Sequence, residues 1–597
     1  MGVFTMMKRN EVNVEHTWDL SALFENEVVY EAAKQQLVQD VDTFIKHHSD
    51  VIESVEKLNM ALDDYQDLNI LRTHIGTYAS LHLNADQSDE LNVKRMGEVQ
   101  ILFSQLNHQL SFFDAGLLEV SDELLTQAAL VSEANAPYLN DILRNKEQYL
   151  GKAQEGLLAL LGSTLDAPYG TYNRTKLADM AFPDFEVNGV TYPMSFVYYE
   201  NVLEFHEDRE VRHKAFEVFH DTLRHYQHTV ASVYQTQVLK EKAIADARGY
   251  DSVIDYLLHS QKVTRDMYDR QIDLVMEHLA PHIRKFAGLL QKIHGLDEMT
   301  FQDLKLSVDF DYEPTITIEE SQQYLLDGLS VLGDEYTDMI KQSFDDRWID
   351  FPQNVGKSTG AFCSSPYANH PYILINWTQR MREVFVLAHE VGHAGHFYLS
   401  GKAQSLYGTR ASTYFIEAPS TMNELLMADH LMKQKEEPRF KRWVLSSMIS
   451  RTYYHNFVTH LLEAAFQREV YRLVDARKPL STQILNQLKR DVLERFWGES
   501  VSITPGAELT WMRQPHYYMG LYPYTYSAGL TISTLVSQKI INKELDISVW
   551  LDILKTGGTK TPLELAQMAN VDMSNDDAIL TTIDSIGDMI QNIIDLS

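Results

Sequence analysis

The chain has 597 residues, of which 44% are hydrophobic and 23% charged, as in an ordinary globular protein with a large buried core. Its net charge of −32 argues against binding to nucleic acid or to an anionic membrane surface, because both need a basic face. The single cysteine, Cys363, excludes an internal disulfide framework and a Cys-rich metal site, and it favours a reducing compartment.

The N-terminal segment MGVFTMMKRNEVNVEH has no apolar stretch followed by a cleavage site of small residues, so we expect no secretory signal peptide. An apolar run of about eighteen residues, the length that a membrane span needs, is also missing from the sequence. Together with the single cysteine, these features predict a cytoplasmic protein.

Amphipathic helices are predicted for most of the chain. Apolar residues recur at three- and four-residue spacing in four long segments, 29–47, 209–246, 265–293 and 439–474. Asp19 or Ser21 is suited to cap an early helix. Glycine (27) and proline (16) are scarce, which favours long helices with few tight turns. The sequence therefore predicts a mainly α fold.

Two segments predict β-structure instead. Residues 182–196 carry Asn188-Gly189 between short alternating stretches, a strong hairpin signal. Residues 356–377 predict two short strands, the second at Tyr372–Ile375, directly before the segment with the most distinctive motif.

The domain organisation is harder to predict, because no Gly/Ser-rich or Pro-rich linker divides the chain and no internal repeat is visible. We place a boundary near residue 200, between an N-terminal helical region (1–200) and a larger region (201–597) that carries the candidate catalytic residues.

The motif H-E-x-x-H occurs once, at His389-Glu390-Val391-Gly392-His393. Residues four apart share one face of a helix, so both imidazoles can reach the same ion. Zinc accepts neutral imidazole nitrogens as ligands. Glu390 lies beside the metal, where it can take a proton from water. The motif predicts His389 and His393 as zinc ligands and Glu390 as a general base.

The third ligand separates the classes of zinc peptidase. The metzincin pattern needs glycine and histidine at the positions of His396 and Leu399, so that class is excluded. The other common solution is a glutamate on a later helix, and residues 414–428 supply Glu417 and Glu424. We predict Glu417 as the third ligand. Glu424 is either a hydrogen-bond acceptor for a ligand imidazole or an ordinary exposed carboxylate.

Two further residues of this segment suggest packing roles. His396 follows His393 by three residues, and we interpret it as a histidine packed in the helix rather than a support for the metal site. Gly392 costs about 1 kcal/mol in a helix relative to alanine, which indicates a neighbouring element packed close to the helix at this point.

An aromatic segment near the C-terminus, WMRQPHYYMGLYPYTYSAG (511–529), combines one histidine with five tyrosines. A hydroxyl or ring N–H about 3 Å from the oxyanion of a tetrahedral intermediate would stabilise it. His516 and Tyr522 are the first candidates and Tyr526 the next, while Tyr524 stays open. A tyrosine-rich packed loop is the alternative for any one of them.

These motifs resemble the thimet-oligopeptidase family of zinc peptidases, and within it the oligoendopeptidase F branch. The resemblance rests on H-E-V-G-H-A-G-H, on F-I-E-A-P-S and on the His/Tyr segment. T-W-D-L-S-A-L-F (17–24), G-A-F-C-S-S (360–365) and P-Y-I-L-I-N (371–376) are also similar to that branch.

The resemblance implies roles for individual residues. His389, His393 and Glu417 fall on the family's zinc ligands, and Glu390 on its general base. His516 falls on the histidine of the loop that closes over substrate, and Tyr522 and Tyr526 on two tyrosines, of which the first donates to the oxyanion. A third family tyrosine falls at Gly529, so this chain lacks it or replaces it from elsewhere.

The resemblance also implies a two-lobed helical body with a deep channel, one zinc ion per chain and a small sheet that pairs with the substrate backbone. We therefore predict hydrolysis of internal bonds in short unfolded peptides. An aminopeptidase is the enzymatic alternative, but it usually carries a G-x-M-E-N phrase, which this sequence lacks. A catalytically dead peptide-binding protein or chaperone is the other alternative, and the intact base and ligand set disfavour it.

Overall fold

The computed structural model describes residues 7–50 and 52–597. Part of the segment that lacks a signal-peptide pattern, residues 1–6, lies outside the described residues. The described chain is mainly helical with two small sheets, so the predicted fold class is confirmed.

The helices of the first 300 residues are α1 (Glu27–His48), α2 (Val55–Ala85), α3 (Glu90–Glu119), α4 (Asp122–Val131), α5 (Ala136–Asn145), α6 (Lys152–Leu165), α7 (Ala167–Arg174), α8 (Phe196–Asn201), α9 (Arg209–Ala247), α10 (Val253–Gln261), α11 (Arg265–Leu274) and α12 (Ala280–Ile293). Those that follow are α13 (Ile318–Gly328), α14 (Asp334–Asp345), α15 (Arg382–Ala403), α16 (Ala418–Gln434), α17 (Pro438–Ser447), α18 (His460–Asp475), α19 (Thr482–Trp497), α20 (Pro523–Ile541), α21 (Ile547–Thr556), α22 (Pro562–Met568) and α23 (Asp577–Asp595).

All four long helical segments that the apolar spacing predicts are helical. Two of them are α1 and α9. The third consists of α11 and α12 joined by a π-helical turn, Val275–Leu279. The fourth consists of α17 and α18 joined by a longer π-helix, Met448–Thr459. Wider turns of this kind shift the side chains that follow without ending the helix.

The predicted early helix cap is wrong. Asp19 forms a local turn instead, in which its Oδ1 accepts a hydrogen bond from the backbone N–H of Ser21 at 2.9 Å. The first long helix, α1, is capped by Asn26, whose side chain accepts from the N–H groups of Val28 and Val29. Asparagine is as good a cap as aspartate, so composition alone did not separate the two sites.

The predicted hairpin is confirmed. Strand β1 (Phe185–Val187) pairs antiparallel with β2 (Val190–Tyr192). Asn188 and Gly189 form the two-residue turn with φ of 52° and 76°. Two consecutive positive φ angles define a type I′ turn, which this dipeptide adopts at little cost.

The second sheet lies beside α15. Its strands are β3 (Ile349–Asp350), β4 (Phe362–Ser364) and β5 (Tyr372–Leu374), in the order β3-β5-β4. The central strand β5 is parallel to β3 and antiparallel to β4. The two strands predicted within residues 356–377 are therefore present, and β4 is an edge strand.

Two hydrophobic cores meet at β5. One core extends from Trp18 to Ile142 and the other from Tyr172 to Ile593, which gives the molecule two lobes. Tyr372 and Leu374 belong to the first core, whereas Ile373 belongs to the second. Successive strand residues point to opposite faces, so this short strand packs against both lobes. The domain boundary near residue 200 stays a prediction.

Buried charges attach the N-terminal segment to this sheet. Asp350 of β3 is fully buried and forms ion pairs with Arg9 and with Lys357, the latter at 2.7 Å. The Lys357 ammonium also donates to the backbone oxygens of Asp350, Pro352 and Ile375 at 2.7–3.0 Å. Together with the Asp350 carboxylate, these oxygens give the buried ammonium four acceptors for its three N–H donors.

The helices of the described residues are too short or too polar to cross a membrane.

Candidate metal centre

Helix α15 presents the H-E-x-x-H motif toward the N-terminal end of α16. The rings of His389 and His393 lie 5.0 Å apart on one face of α15, as four-residue spacing predicts. Glu417, the residue before the first turn of α16, places Oε2 at 3.5 Å from His389 Nε2 and 3.4 Å from His393 Nε2. The three predicted ligands therefore converge on one point.

Gly392 allows this convergence. A Cβ atom at this position would lie 2.5 Å from the Pro419 carbonyl oxygen and from Ser420 Cα, far inside van der Waals contact. The backbones of α15 and α16 touch here, which confirms the close packing that a glycine in this helix indicates. Without that approach, Glu417 would not reach the two histidines.

The geometry of this group fits zinc. Two ligands bonded at about 2.0–2.1 Å with a tetrahedral angle between them lie about 3.3–3.4 Å apart. The distances from the Glu417 oxygen to the two imidazole nitrogens, 3.4 and 3.5 Å, are close to this value. All three ligand atoms lie within 4.8 Å of one another. The His389 side chain is one quarter exposed, so solvent reaches this group.

Glu424 supports the first histidine. Its Oε1 lies 2.6 Å from His389 Nδ1, and its Oε2 accepts a hydrogen bond from Thr452. An acceptor at Nδ1 keeps the proton on that nitrogen, so Nε2 has a free lone pair for a metal. This contact confirms that Glu424 is a hydrogen-bond acceptor for a ligand imidazole. Only 8% of Glu424 is exposed, so its alternative interpretation as an ordinary surface carboxylate is wrong.

The pKa values of Glu390 and Glu417, the two carboxylates nearest the histidines, are shifted in opposite directions. Burial raises the pKa of Glu390, although His389 and His393 act against this. Burial also opposes ionisation of Glu417, but His393 and His389 outweigh it and hold the pKa of Glu417 far below its ordinary value. Glu417 therefore ionises more readily than Glu390, and the candidate general base is the more basic of the two carboxylates.

His396 takes no part in the site. Its ring is fully buried and packs against Phe397, with 5.2 Å between ring centroids. Neither nitrogen has a hydrogen-bond partner among the described residues, and burial lowers the pKa of His396 to about 3. The interpretation as a packed histidine agrees with this structure.

The aromatic segment contributes three side chains to the same place. The Tyr522 hydroxyl donates to Glu417 Oε1 at 3.2 Å. The His516 ring stacks on Tyr522, with centroids 5.6 Å apart, and its Nε2 lies 3.4 Å from the Tyr526 hydroxyl. Tyr522 precedes α20 and Tyr526 lies in its first turn, so the four-residue spacing puts them on one face. Their catalytic roles stay predictions.

The structure separates Tyr524 from its two neighbours. Tyr524 is fully buried on the other face of α20, where its hydroxyl bonds to the side chain of Gln261. Gly529 packs against the backbone of the third ligand, and a Cβ there would lie 2.9 Å from Glu417 Cβ. In this structure, a side chain at position 529 would therefore clash with Glu417.

A group of polar residues that was not predicted from the sequence lies behind His516. His460 and Glu463 on α18 are buried, and His460 Nδ1 lies 2.8 Å from Glu463 Oε2. The His460 ring stacks on Tyr526 with centroids 4.1 Å apart. Histidine and glutamate three residues apart inside an otherwise apolar helical stretch were the available signal, since such residues share a helix face.

Comparison with protein families gives two matches. A model described as peptidase family M3 matches residues 202–585, and one described as Oligopeptidase F matches residues 117–182. The first covers well over half of the chain and includes all the residues of the candidate site.

Individual relatives extend the likeness over nearly the whole chain. Oligopeptidase PepF of Bacillus subtilis is 27% identical over 577 residues, which cover 96% of this chain and 86% of the relative. An oligoendopeptidase F homolog of Borreliella burgdorferi is 26% identical and is matched over 97% and 98% of the two chains.

A solved structure supports the fold. The crystal structure of oligoendopeptidase-F from Enterococcus faecium matches with a TM-score of 0.75 and 22% identity, over 95% of this chain and 98% of that one. The chain therefore belongs to peptidase family M3, in its oligoendopeptidase F branch, and is a metallopeptidase.

Proposed function

We propose that the protein is a zinc-dependent oligoendopeptidase that hydrolyses internal bonds of short unfolded peptides in the cytoplasm. The observation that carries this proposal is the convergence of His389 Nε2 and His393 Nε2 on Glu417 Oε2, at 3.4–3.5 Å, beside the buried carboxylate of Glu390. Two imidazoles and a carboxylate are the ligand set of catalytic zinc sites that keep one position open.

Zinc held by these three residues would supply Lewis-acid polarisation of the scissile carbonyl and of a water molecule. Glu390 accepts the proton of the attacking water and later passes it to the leaving amine. Its burial favours this role, because a carboxylate with a raised pKa is a stronger base than an exposed one.

Tyr522, His516 and Tyr526 are proposed to stabilise the oxyanion. Their polar atoms lie beside Glu417, and a hydroxyl that bonds Glu417 before reaction can turn to a developing negative charge nearby. Each such donor contributes about 2.7–4 kcal/mol to transition-state stabilisation. Tyr522 is the first candidate because its hydroxyl is in direct contact with a ligand.

An endopeptidase agrees better with the structure than an aminopeptidase does. The edge strand β4 contacts α15, and no described strand pairs with its outer side, so an extended peptide can be added there. Such pairing recognises the peptide backbone, so it predicts a broad sequence preference.

Two measurements test the proposal: the zinc content of the protein, and cleavage of a fluorescence-quenched peptide whose N-terminus is blocked. An endopeptidase cleaves this peptide, whereas an aminopeptidase or a dead binding protein leaves it intact.

Substitution of Glu390 by glutamine is expected to keep zinc and abolish nearly all turnover. The amide cannot accept the proton of water, but Glu390 is no ligand, so the metal stays bound. Zinc content by mass spectrometry and kcat on the quenched peptide check this. Near-normal kcat in a zinc-loaded Glu390→Gln variant would contradict the assignment.

Glu417→Ala is expected to lose zinc, and Glu424→Ala to bind it about 10–100-fold more weakly, the usual loss when a ligand's hydrogen-bond partner is removed. Glu417 faces both imidazoles, whereas Glu424 contacts only His389 Nδ1. Competition with a chelator of known affinity measures both losses. If Glu424→Ala lost all zinc while Glu417→Ala kept it, the two roles would be reversed.

Tyr522→Phe is expected to lower kcat by about 10²–10³ with little change in KM, because a donor to the oxyanion acts mainly in the transition state. Zinc content should stay normal, since three other residues hold the metal. Tyr524→Phe is the matched control, because Tyr524 lies on the far face of α20, and it should change kcat little.

Two results would reassign Tyr522. A rise in KM at constant kcat would make it a ground-state contact for substrate. Unchanged kinetics would move the donor role to Tyr526 or His516, and Tyr526→Phe measured in parallel would decide between these two.

A further inference from the structure

A second group of possible metal ligands lies behind the aromatic residues of the site. His460, Glu463 and His516 each offer one ligand atom, and these atoms lie within 4.8 Å of one another. His460 Nδ1 and His516 Nδ1 lie 2.8 Å and 4.0 Å from Glu463 Oε2. His460 and Glu463 are 1% and 3% exposed, so the group is almost fully removed from solvent.

His460 has the outer hydrogen-bond partner that a metal-binding imidazole needs. Its Nε2 lies 3.0 Å from Nε2 of His455, so His460 can hold its proton there and present the Nδ1 lone pair to an ion. His389 at the first site also has such a partner, because its Nδ1–H donates a hydrogen bond to Glu424 Oε1.

His516 also has a nitrogen available. Its Nδ1 is buried without a hydrogen-bond partner among the described residues. Burial lowers the pKa of His460 to about 3 and that of His516 to about 4. Both imidazoles are therefore neutral near pH 7, the form that coordinates metals.

We propose that His460 Nδ1, a Glu463 oxygen and His516 Nδ1 form a second Zn²⁺ site, weaker than the first. Two imidazoles and one carboxylate are the same ligand types as in the H-E-x-x-H site and suit the same ion. Binding moves the His460 proton from Nδ1 to Nε2, and His455, which faces that Nε2, moves its own proton from Nε2 to Nδ1, so neither ring gains or loses a proton. To reach the spacing of tetrahedral ligands, His516 Nδ1 must approach Glu463 Oε2 by about 0.7 Å and His460 Nδ1 must move away from it by about 0.5 Å.

Lys489 explains why this site is weaker. Its side chain is 3% exposed and has no ion pair among the described residues. Burial raises the pKa of Glu463, while the positive charge of Lys489 acts against this, so Lys489 lies within electrostatic range of this carboxylate. A nearby ammonium repels a divalent cation. The H-E-x-x-H site, which has Glu417 and Glu424 close by, fills first.

Occupation of the second site has a functional consequence that rests on the proposed function. An ion on Nδ1 fixes the His516 ring, which is then unable to move toward a substrate. Zinc above the amount that fills the first site is therefore expected to inhibit peptide cleavage.

Equilibrium dialysis against buffered Zn²⁺ tests the site without any measurement of activity. The wild-type chain is expected to bind one ion at low free Zn²⁺ and a second at higher concentration. Glu463→Gln and His460→Asn should bind one ion at every concentration. Glu469→Gln, a change on the same helix outside the group, is the matched control and should bind two.

Several results would overturn the proposal. These are a single ion in the wild type at all concentrations, a second ion retained by both Glu463→Gln and His460→Asn, or a second ion lost in Glu390→Gln. The last result would place that ion at the catalytic base instead. Because ions are counted, failure of the proposed peptidase activity would leave this test unaffected.

A measurement on the wild type covers the case in which the variants fold poorly. With the first site filled by zinc, added Co²⁺ should give the visible absorption of a protein-bound, low-coordinate ion. The spectrum of hydrated Co²⁺ alone would overturn the proposal.

Discussion

The direct contact between the backbones of α15 and α16 at Gly392 is the constraint on which the metal centre depends. A Cβ atom would lie 2.5 Å from two backbone atoms of α16, about 1 Å closer than ordinary contact, so any side chain would separate the helices. Metal–ligand bonds tolerate errors of only about 0.2 Å. Gly529 imposes a similar condition from α20, where its Cα face touches Glu417. Two glycines thus allow one glutamate to reach two histidines, at a cost of about 1 kcal/mol each in helix propensity.

The small sheet connects this centre to the rest of the molecule. Strand β5 packs one face on each lobe, and its neighbour β4 contacts α15. The buried Asp350, held by Arg9 and Lys357, attaches the N-terminal segment to the same sheet. The central strand of this sheet is therefore in contact with both lobes, and a peptide added to β4 would lie one strand away from it.

Local patterns in the sequence predicted much of this structure, and long-range contacts account for the rest. The candidate metal ligands, the type I′ turn and the long helices follow from residue spacing and turn chemistry over fewer than 40 residues. The sequence also contained the signal that separates Tyr524 from Tyr522 and Tyr526. Pro523 favours the first turn of a helix, and four-residue spacing then places Tyr522 and Tyr526 on the same face. The contact of His516 with His460 and Glu463 could not be predicted from the sequence, because it joins α18 to a turn more than 50 residues later.

The central claim is that His389, His393 and Glu417 hold a catalytic zinc ion, and anomalous diffraction at the zinc edge tests it most directly. Crystals of protein loaded with one equivalent of zinc are predicted to show their strongest anomalous peak about 2.0–2.1 Å from His389 Nε2 and His393 Nε2. A zinc-loaded crystal whose strongest peak lies at any other set of residues would contradict the account.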